Sequence, residues 1–172
     1  MLTRDEFYVQ NYLNPPRRGH AVVIGGSMAG LMAARVLSGH YERVTVLERD
    51  ELPDEPAPRK GLPQARHAHG LLERGRRILE WYLPGVGEEV LQAGGEMSDA
   101  TRDLAMLSPA GWYFQCPSDM VMLASSRNLL DWVVRERVRS IPNIRIRTGI
   151  DVVGLVRGEG TYADVGGVRI RA

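Results

Sequence analysis

Residues 20–37, His-Ala-Val-Val-Ile-Gly-Gly-Ser-Met-Ala-Gly-Leu-Met-Ala-Ala-Arg-Val-Leu, leave the chain few ways to fold. The stretch opens on an apolar run, Ala21 to Ile24, long enough for a buried strand. Glycines at 25, 26 and 30 then punctuate it. Ala29, Leu31, Met32, Ala33, Val36 and Leu37 recur at the spacing of a packed helix. A strand, a tight glycine turn and a helix in that order make the phosphate-binding start of a βαβ unit.

Each turn residue has a physical task. Gly25 lets the backbone leave the strand sharply, with positive φ open to it. Gly30 has no Cβ, so the helix can lie close against the strand. Ser27 takes the middle position of the usual G-x-G-x-x-G, with Gly26 just before it. Its hydroxyl can add a hydrogen bond where a pyrophosphate approaches. The first-turn amides and the helix dipole would hold that anion. Alone, such a turn also fits a β–α connection with no ligand. The context argues for a ligand. A second strand, Arg43 to Leu47, ends on Glu48, which lies 48 − 25 = 23 positions after Gly25. A carboxylate near that spacing takes a ribose 2′-OH. Glu48 also opposes a 2′-phosphate, because two anions repel, although Arg49 beside it weakens the point.

The run Val22-Val23-Ile24-Gly25-Gly26-Ser27-Met28-Ala29-Gly30-Leu31, followed by Val44-Thr45-Val46-Leu47-Glu48-Arg49-Asp50, resembles the N-terminus of FAD-dependent monooxygenases. These are the aromatic hydroxylases of the p-hydroxybenzoate hydroxylase type. Pro58 to Leu72 resembles the loop and helix of a bacterial branch, and the likeness runs to about Ser140. The resemblance implies an α/β chain: a Rossmann-like FAD-binding βαβ fold with a parallel sheet and an inserted antiparallel β-hairpin. It implies a single domain over 1–172, with 96–124 contributing to a substrate-side β-sheet. It also implies FAD as cofactor, NAD(P)H as transient reductant, and hydroxylation of an aromatic or polyketide-like small molecule.

The same resemblance supplies site residues. Gly25, Gly26, Ser27, Met28, Ala29 and Gly30 cradle the pyrophosphate, and Glu48 and Arg49 flank the ribose. The loop from Asp50 to Pro63, with prolines at 53, 56, 58 and 63, passes over the flavin. Arg66 is the first candidate for its basic residue near the cofactor, and Arg59 the second. Arg127, opening a later helix, approaches the pyrophosphate or ribityl chain. Val152 and Val153 reach the adenine through their backbone. No catalytic residue stands out.

Composition bounds the rest. The chain has 172 residues, 44% hydrophobic and 25% charged, as a globular domain should. A net charge of +1 offers no basic excess for nucleic acid. Cys116 is the only cysteine, which excludes an internal disulfide and fits a reducing cytoplasm. A tolerated thiol explains it better than a nucleophile. Met1 to Gln10 does not read as a leader. The run Ala21 to Ala34 falls short of the ~20 residues needed to span a bilayer. His67 and His69 would share a face of a strand, but a third metal ligand is missing. Such a pair is more often structural, and one imidazole facing flavin or substrate is the alternative.

Further elements follow from pattern. Gly39 is a candidate cap for the first helix. Helices are expected at Gly70 to Leu83, Glu88 to Ala93, and from a Ser125 or Ser126 cap to Ser140. Arg102 to Leu107 and Trp112 to Gln115 should form a hairpin around Ser108 to Gly111. Trp112, Tyr113 and Phe114 then either line a pocket or simply pack the sheet. Val121 to Ala124 leads into the Ser125 or Ser126 cap. Strands are expected at Ile144 to Arg147, extending the parallel sheet, and at Asp151 to Arg157. Thr161 to Val165 and Val168 to Arg171 suit a small meander.

The resemblance has an end. The family needs a later Gly-Asp motif whose carboxylate holds the ribityl chain or ribose, and no Gly-Asp pair occurs here. The chain is therefore expected to be the N-terminal part of a flavoprotein, as a truncated product or a proteolytic piece. It should retain FAD weakly and form homo-oligomers through an exposed sheet edge. Two other readings stay open: an isoprenoid-type flavin reductase, and a non-catalytic nucleotide-binding module.

Overall fold

The computed structural model describes residues 18–67, 69–158 and 165–171. In chain order the elements are β1 (Arg18–Ile24), α1 (Met28–Leu37), β2 (Tyr41–Leu47), a 3-10 turn (Pro63–Arg66), β3 (His69–Leu71), α2 (Glu73–Tyr82), α3 (Val86–Gln92), β4 (Glu96–Asp99), β5 (Leu107–Ser108), β6 (Gly111–Trp112), β7 (Val121–Ser125), α4 (Arg127–Arg139), β8 (Ile144–Arg147), β9 (Asp151–Arg157) and β10 (Val165–Arg171). Contacts gather into two compact units. One takes the chain up to Asp54, Arg59–Gly61 and everything from Arg135; the other takes Glu55–Pro58 and Leu62–Val134.

The first unit holds a parallel sheet in the order β1-β2-β8. Ala21 lies opposite Val44 and Val23 opposite Val46, while Val44 and Val46 face Ile144 and Ile146 across the next pairing. The β-branched valines suit a pleated surface, and α1 covers them. Leu31 and Ala34 on the helix, and Val44 and Val46 on the strand, are fully buried. β8 extends the parallel sheet, as its alternation predicts. Among the described residues β1 pairs with β2 alone, so this apolar strand is an edge, and Val22 and Ile24 on it stay exposed.

The helix end departs from expectation. Gly39 is not a left-handed cap, since its φ is not positive. The helix tightens instead through Gly39 N–H to Val36 O (3.1 Å) and His40 N–H to Leu37 O (2.9 Å), which any residue can make. Asn143 then staples the turn into β2: its side-chain amide donates to Ser38 O and Tyr41 O, each at 2.9 Å. β9 and β10 form an antiparallel pair with two register shifts. The strand expected from Thr161 falls, up to residue 164, outside the described residues.

The second unit is built on an antiparallel sheet, β3-β7-β4. Leu79, Leu83, Val86, Val90 and Leu123 fill its core. The helix expected from Gly70 starts later. Residues 69–71 pair with β7 instead, and a Cβ on Gly70 would stand 3.2 Å from Met122 Sδ. The helix begins where an acid can sit in its first turn, at Glu73, which pairs with Arg76 and Arg77. The hairpin turn at 108–111 forms, with Gly111 at φ +114°, but each strand is only 2 residues long. Asp99 accounts for much of this. Its carboxylate accepts from the Ser118 amide and hydroxyl (both 2.7 Å) and from the Thr101 and Arg102 amides, which folds 100–106 into turns rather than strand. Ser126 caps α4, accepting from Leu129 N–H at 3.1 Å.

Candidate nucleotide-binding site

The glycine turn is shaped by two different constraints. Gly25 sits at φ +98° with nothing near the place of a Cβ, so backbone conformation alone demands glycine. Gly30 has ordinary φ, but a Cβ there would lie 1.9 Å from Gly25 O, so space demands glycine. Gly25 N–H donates to Leu47 O at 2.8 Å, tying the turn to the end of β2. Ser27 is the N-cap residue, in extended conformation, and its side chain makes no capping bond. The first intrahelical bond is Leu31 N–H to Ser27 O, so the amides of Met28, Ala29 and Gly30 lie ahead of the helix ladder. Ala29 is exposed and Ser27 and Met28 half-buried, so the helix start is open to solvent.

Glu48 closes the other side. It is 6% exposed, and its Oε2 accepts from Gly26 N–H at 2.6 Å while Oε1 accepts from Asp50 N–H at 2.9 Å. A Cβ on Gly26 would press on Glu48 Cβ at 3.1 Å, so Gly26 is what lets the carboxylate approach. Arg59 completes the group. Its side chain is 5% exposed, with Nη1 3.4 Å from Glu48 Oε2 and 3.5 Å from Asp50 Oδ2. Its Nη2 donates to Gly26 O at 3.4 Å. Asp50 Oδ2 also accepts Gly61 N–H at 2.5 Å, so one carboxylate fastens the neck of the 50–61 loop.

The structure thus brings together Gly25, Gly26, Ser27, Met28, Ala29, Gly30, Glu48 and the second-choice loop arginine, Arg59. Arg49 points outward, 71% exposed, with only a 3.9 Å contact to Asp50. Arg66 and Arg127 belong to the second unit. Arg66 is exposed on the 3-10 turn, and Arg127 pairs with the buried Asp131 at 3.6 Å. Val152 and Val153 lie on β9 of the first unit, where Val152 faces Ile170 and Val153 is exposed. His69 Nδ1 sits 2.8 Å from His67 O, and the described residues contain no metal-ligand cluster. Asp50 was the residue that sequence reasoning missed. Its only signal was a second acid two positions after Glu48.

In the second unit Trp112, Tyr113 and Phe114 do not pack a sheet. They are exposed, with Leu107 and Met106 beside them. No charged residue occurs between Leu104 and Ser118.

The backbone matches solved structures closely enough to place the fold. PqsL of Pseudomonas aeruginosa, described as a probable FAD-dependent monooxygenase, aligns over 90% of this chain and 38% of its own with TM-score 0.63 and 21% identity. Its fold is that of FAD-dependent monooxygenases. PqsL in complex with 2-aminobenzoylacetate gives TM-score 0.66 at 21% identity, again over 90% of this chain and 39% of that one. The p-nitrophenol 4-monooxygenase PnpA of Pseudomonas putida gives 0.59 at 21% identity over 83% of this chain and 34% of its own. No protein-family model matches the chain. Protein Rv3254 of Mycobacterium tuberculosis is 41% identical over 133 residues, 75% of this chain and 28% of its own. Phytoene dehydrogenase of Streptomyces griseus is 36% identical over 91 residues, 53% of this chain and 17% of its own. The chain therefore spans under a third of the length of these curated relatives.

Proposed function

We propose that this chain is the nucleotide-binding part of an FAD-dependent monooxygenase that hydroxylates an aromatic or polyketide-like small molecule, with NAD(P)H as transient reductant. One observation carries the reading: a bare glycine turn at an open helix start, closed on one side by a buried carboxylate on Gly26. The residues fit the cofactor. Gly25 to Gly30 would take the pyrophosphate on backbone amides, and Glu48 would hold the adenosine ribose. Arg59 is placed to steady the turn, with Arg66, Arg127, Arg49, Val152 and Val153 as further contacts. Bound flavin would supply the redox chemistry, and the protein would position it. The sheet and hairpin within 96–124 would present an uncharged aromatic surface to the substrate.

Among the described residues the outer edge of β1 has no partner strand, which suits association of copies, in line with the tetrameric form of the 2-methyl-3-hydroxypyridine-5-carboxylic acid oxygenase that shares this fold. A cytoplasmic location fits the lone cysteine. An isoprenoid-type flavin dehydrogenase is the second reading, favoured by the phytoene dehydrogenase match.

The test is to titrate the purified chain with FAD, following flavin fluorescence, with ADP as competitor. Saturable binding displaced by ADP and weakened in Glu48→Ala supports the reading. Binding indifferent to both sinks it. NAD(P)H oxidation by the chain plus FAD should not exceed that of free flavin, since positioning errors of ~1 Å cost ~100-fold.

A further inference from the structure

The sheet face turned away from α1 carries basic side chains that nucleotide binding does not use. Strand alternation puts His20 and Val22 of β1, Arg43, Thr45 and Leu47 of β2, and Arg145 and Arg147 of β8 on that one face. The register sets His20 opposite Arg43, Thr45 opposite Arg145, and Leu47 opposite Arg147. Together with Val168 and Ile170 of β10 they line an open cleft of about 520 Å³.

The arginines of this cleft differ from those that form the chain's ion pairs. Arg59, Arg76, Arg102 and Arg171 each meet a carboxylate. Arg43, Arg145 and Arg147 are exposed, and among the described residues none of them has an acidic partner. His20 adds no charge of its own. Its Nδ1 accepts from Arg43 Nη2 at 3.2 Å and its Nε2–H donates to Thr45 Oγ1 at 2.9 Å, while desolvation first and the Arg43 charge second hold its pKa below the ordinary histidine value. Three guanidiniums therefore stand over a floor made apolar by Val22, Leu47, Val168 and Ile170. Like charges on neighbouring strands repel, and a bound anion would relieve that. At ~3.3 Å per residue, Arg145 and Arg147 are ~7 Å apart, a span that two forked donors can close on one branched oxyanion.

We propose that this cleft binds an organic anion with an apolar body: its carboxylate or phosphate lies between Arg145 and Arg147, and its apolar part over Val22, Leu47, Val168 and Ile170. Free amphiphile and lipid headgroup share this chemistry, and monomeric and vesicle-borne probes separate them.

Calorimetric titration at low salt with decyl phosphate, decanol and inorganic phosphate tests it. Decyl phosphate should bind at least ~10-fold more tightly than either part alone, since only it uses both the charge-assisted bonds and the apolar floor. The double variant Arg145→Gln/Arg147→Gln should lose at least ~10-fold, and Arg145→Lys/Arg147→Lys should recover only part of it, since the charge returns without the fork. FAD titration should be unchanged in both, so failure here is distinct from failure of the nucleotide reading. Phosphatidic acid vesicles that bind as tightly as the monomer assign the headgroup as the source; vesicles that do not assign the free amphiphile. Equal affinity for decanol and decyl phosphate, or full binding by the glutamine variant, would overturn the proposal. So would a face that takes only a polyglutamate peptide, which would mark a protein partner instead.

Discussion

Gly30 lies against Gly25 so closely that a single added methyl on Gly30 would stand 1.9 Å from the Gly25 carbonyl oxygen. Backbone, not a flexible side chain, fills that place, so nothing can yield cheaply. Gly30→Ala should destabilise the first unit by ~2–3 kcal/mol, as overpacking does. Urea unfolding would read this as a lower midpoint. FAD titration of the variant should show lost affinity, because the turn itself must move.

Glu48 is held by two amides and one guanidinium. Glu48→Ala should weaken FAD by ~1–3 kcal/mol, the cost of a lost charge-assisted hydrogen bond. Flavin fluorescence titration measures it. A variant that binds FAD as well as the parent would remove Glu48 from the ribose.

Arg59 neutralises one of two adjacent carboxylates, both nearly buried. Arg59→Leu leaves Glu48 and Asp50 facing each other and should cost ~3 kcal/mol, as expected when one partner of a buried ion pair is removed. Adding Asp50→Asn should return part of that loss. A double-mutant cycle in urea would show the coupling, and strict additivity would deny it.

Asp99, at the end of β4, fastens the segments on either side of the hairpin. Hydrogen bonds from the Ser118 amide, then the Ser118 hydroxyl, and from Thr101 and Arg102 amides hold its pKa far below the ordinary carboxylate value. A depressed folded pKa means that the charged form is favoured on folding. Its contribution is therefore complete above the unfolded value of ~3.9 and fades only as pH falls from there toward the folded value. Trp112 fluorescence, on the same hairpin, should hold constant from neutral pH down to ~5 by this argument. Asp99→Asn should loosen the hairpin at neutral pH and flatten the acid response.

The glycine turn and Glu48 were legible because their constraints are local. The conformational demand at Gly25, the steric demand at Gly30 and the strand-end acid are written within 24 consecutive residues, 25–48. Arg59 ranked behind Arg66 in the sequence because four prolines between 53 and 63 leave the course of the loop open. The carboxylate of Asp50 fixes that course, and its partners lie 9 and 11 positions on. Leu71 and Leu72 fit a helical stripe, yet residues 69–71 form β3. Its pairing with β7 is decided more than 50 residues away, at Leu123–Ser125. The aromatic hairpin shows the same limit: alternation reveals a strand, not what covers it.

Asn143 follows Tyr41 by 102 positions, yet it completes the turn between α1 and β2. During synthesis the first βαβ segment therefore leaves the ribosome without its third strand or this staple, and waits while Leu62–Val134 emerges. At ~5–20 residues per second that interval lasts ~4–15 seconds. The order of birth is reversed in the order of assembly. The inserted unit is complete first, and the oldest part of the chain is the last to be locked.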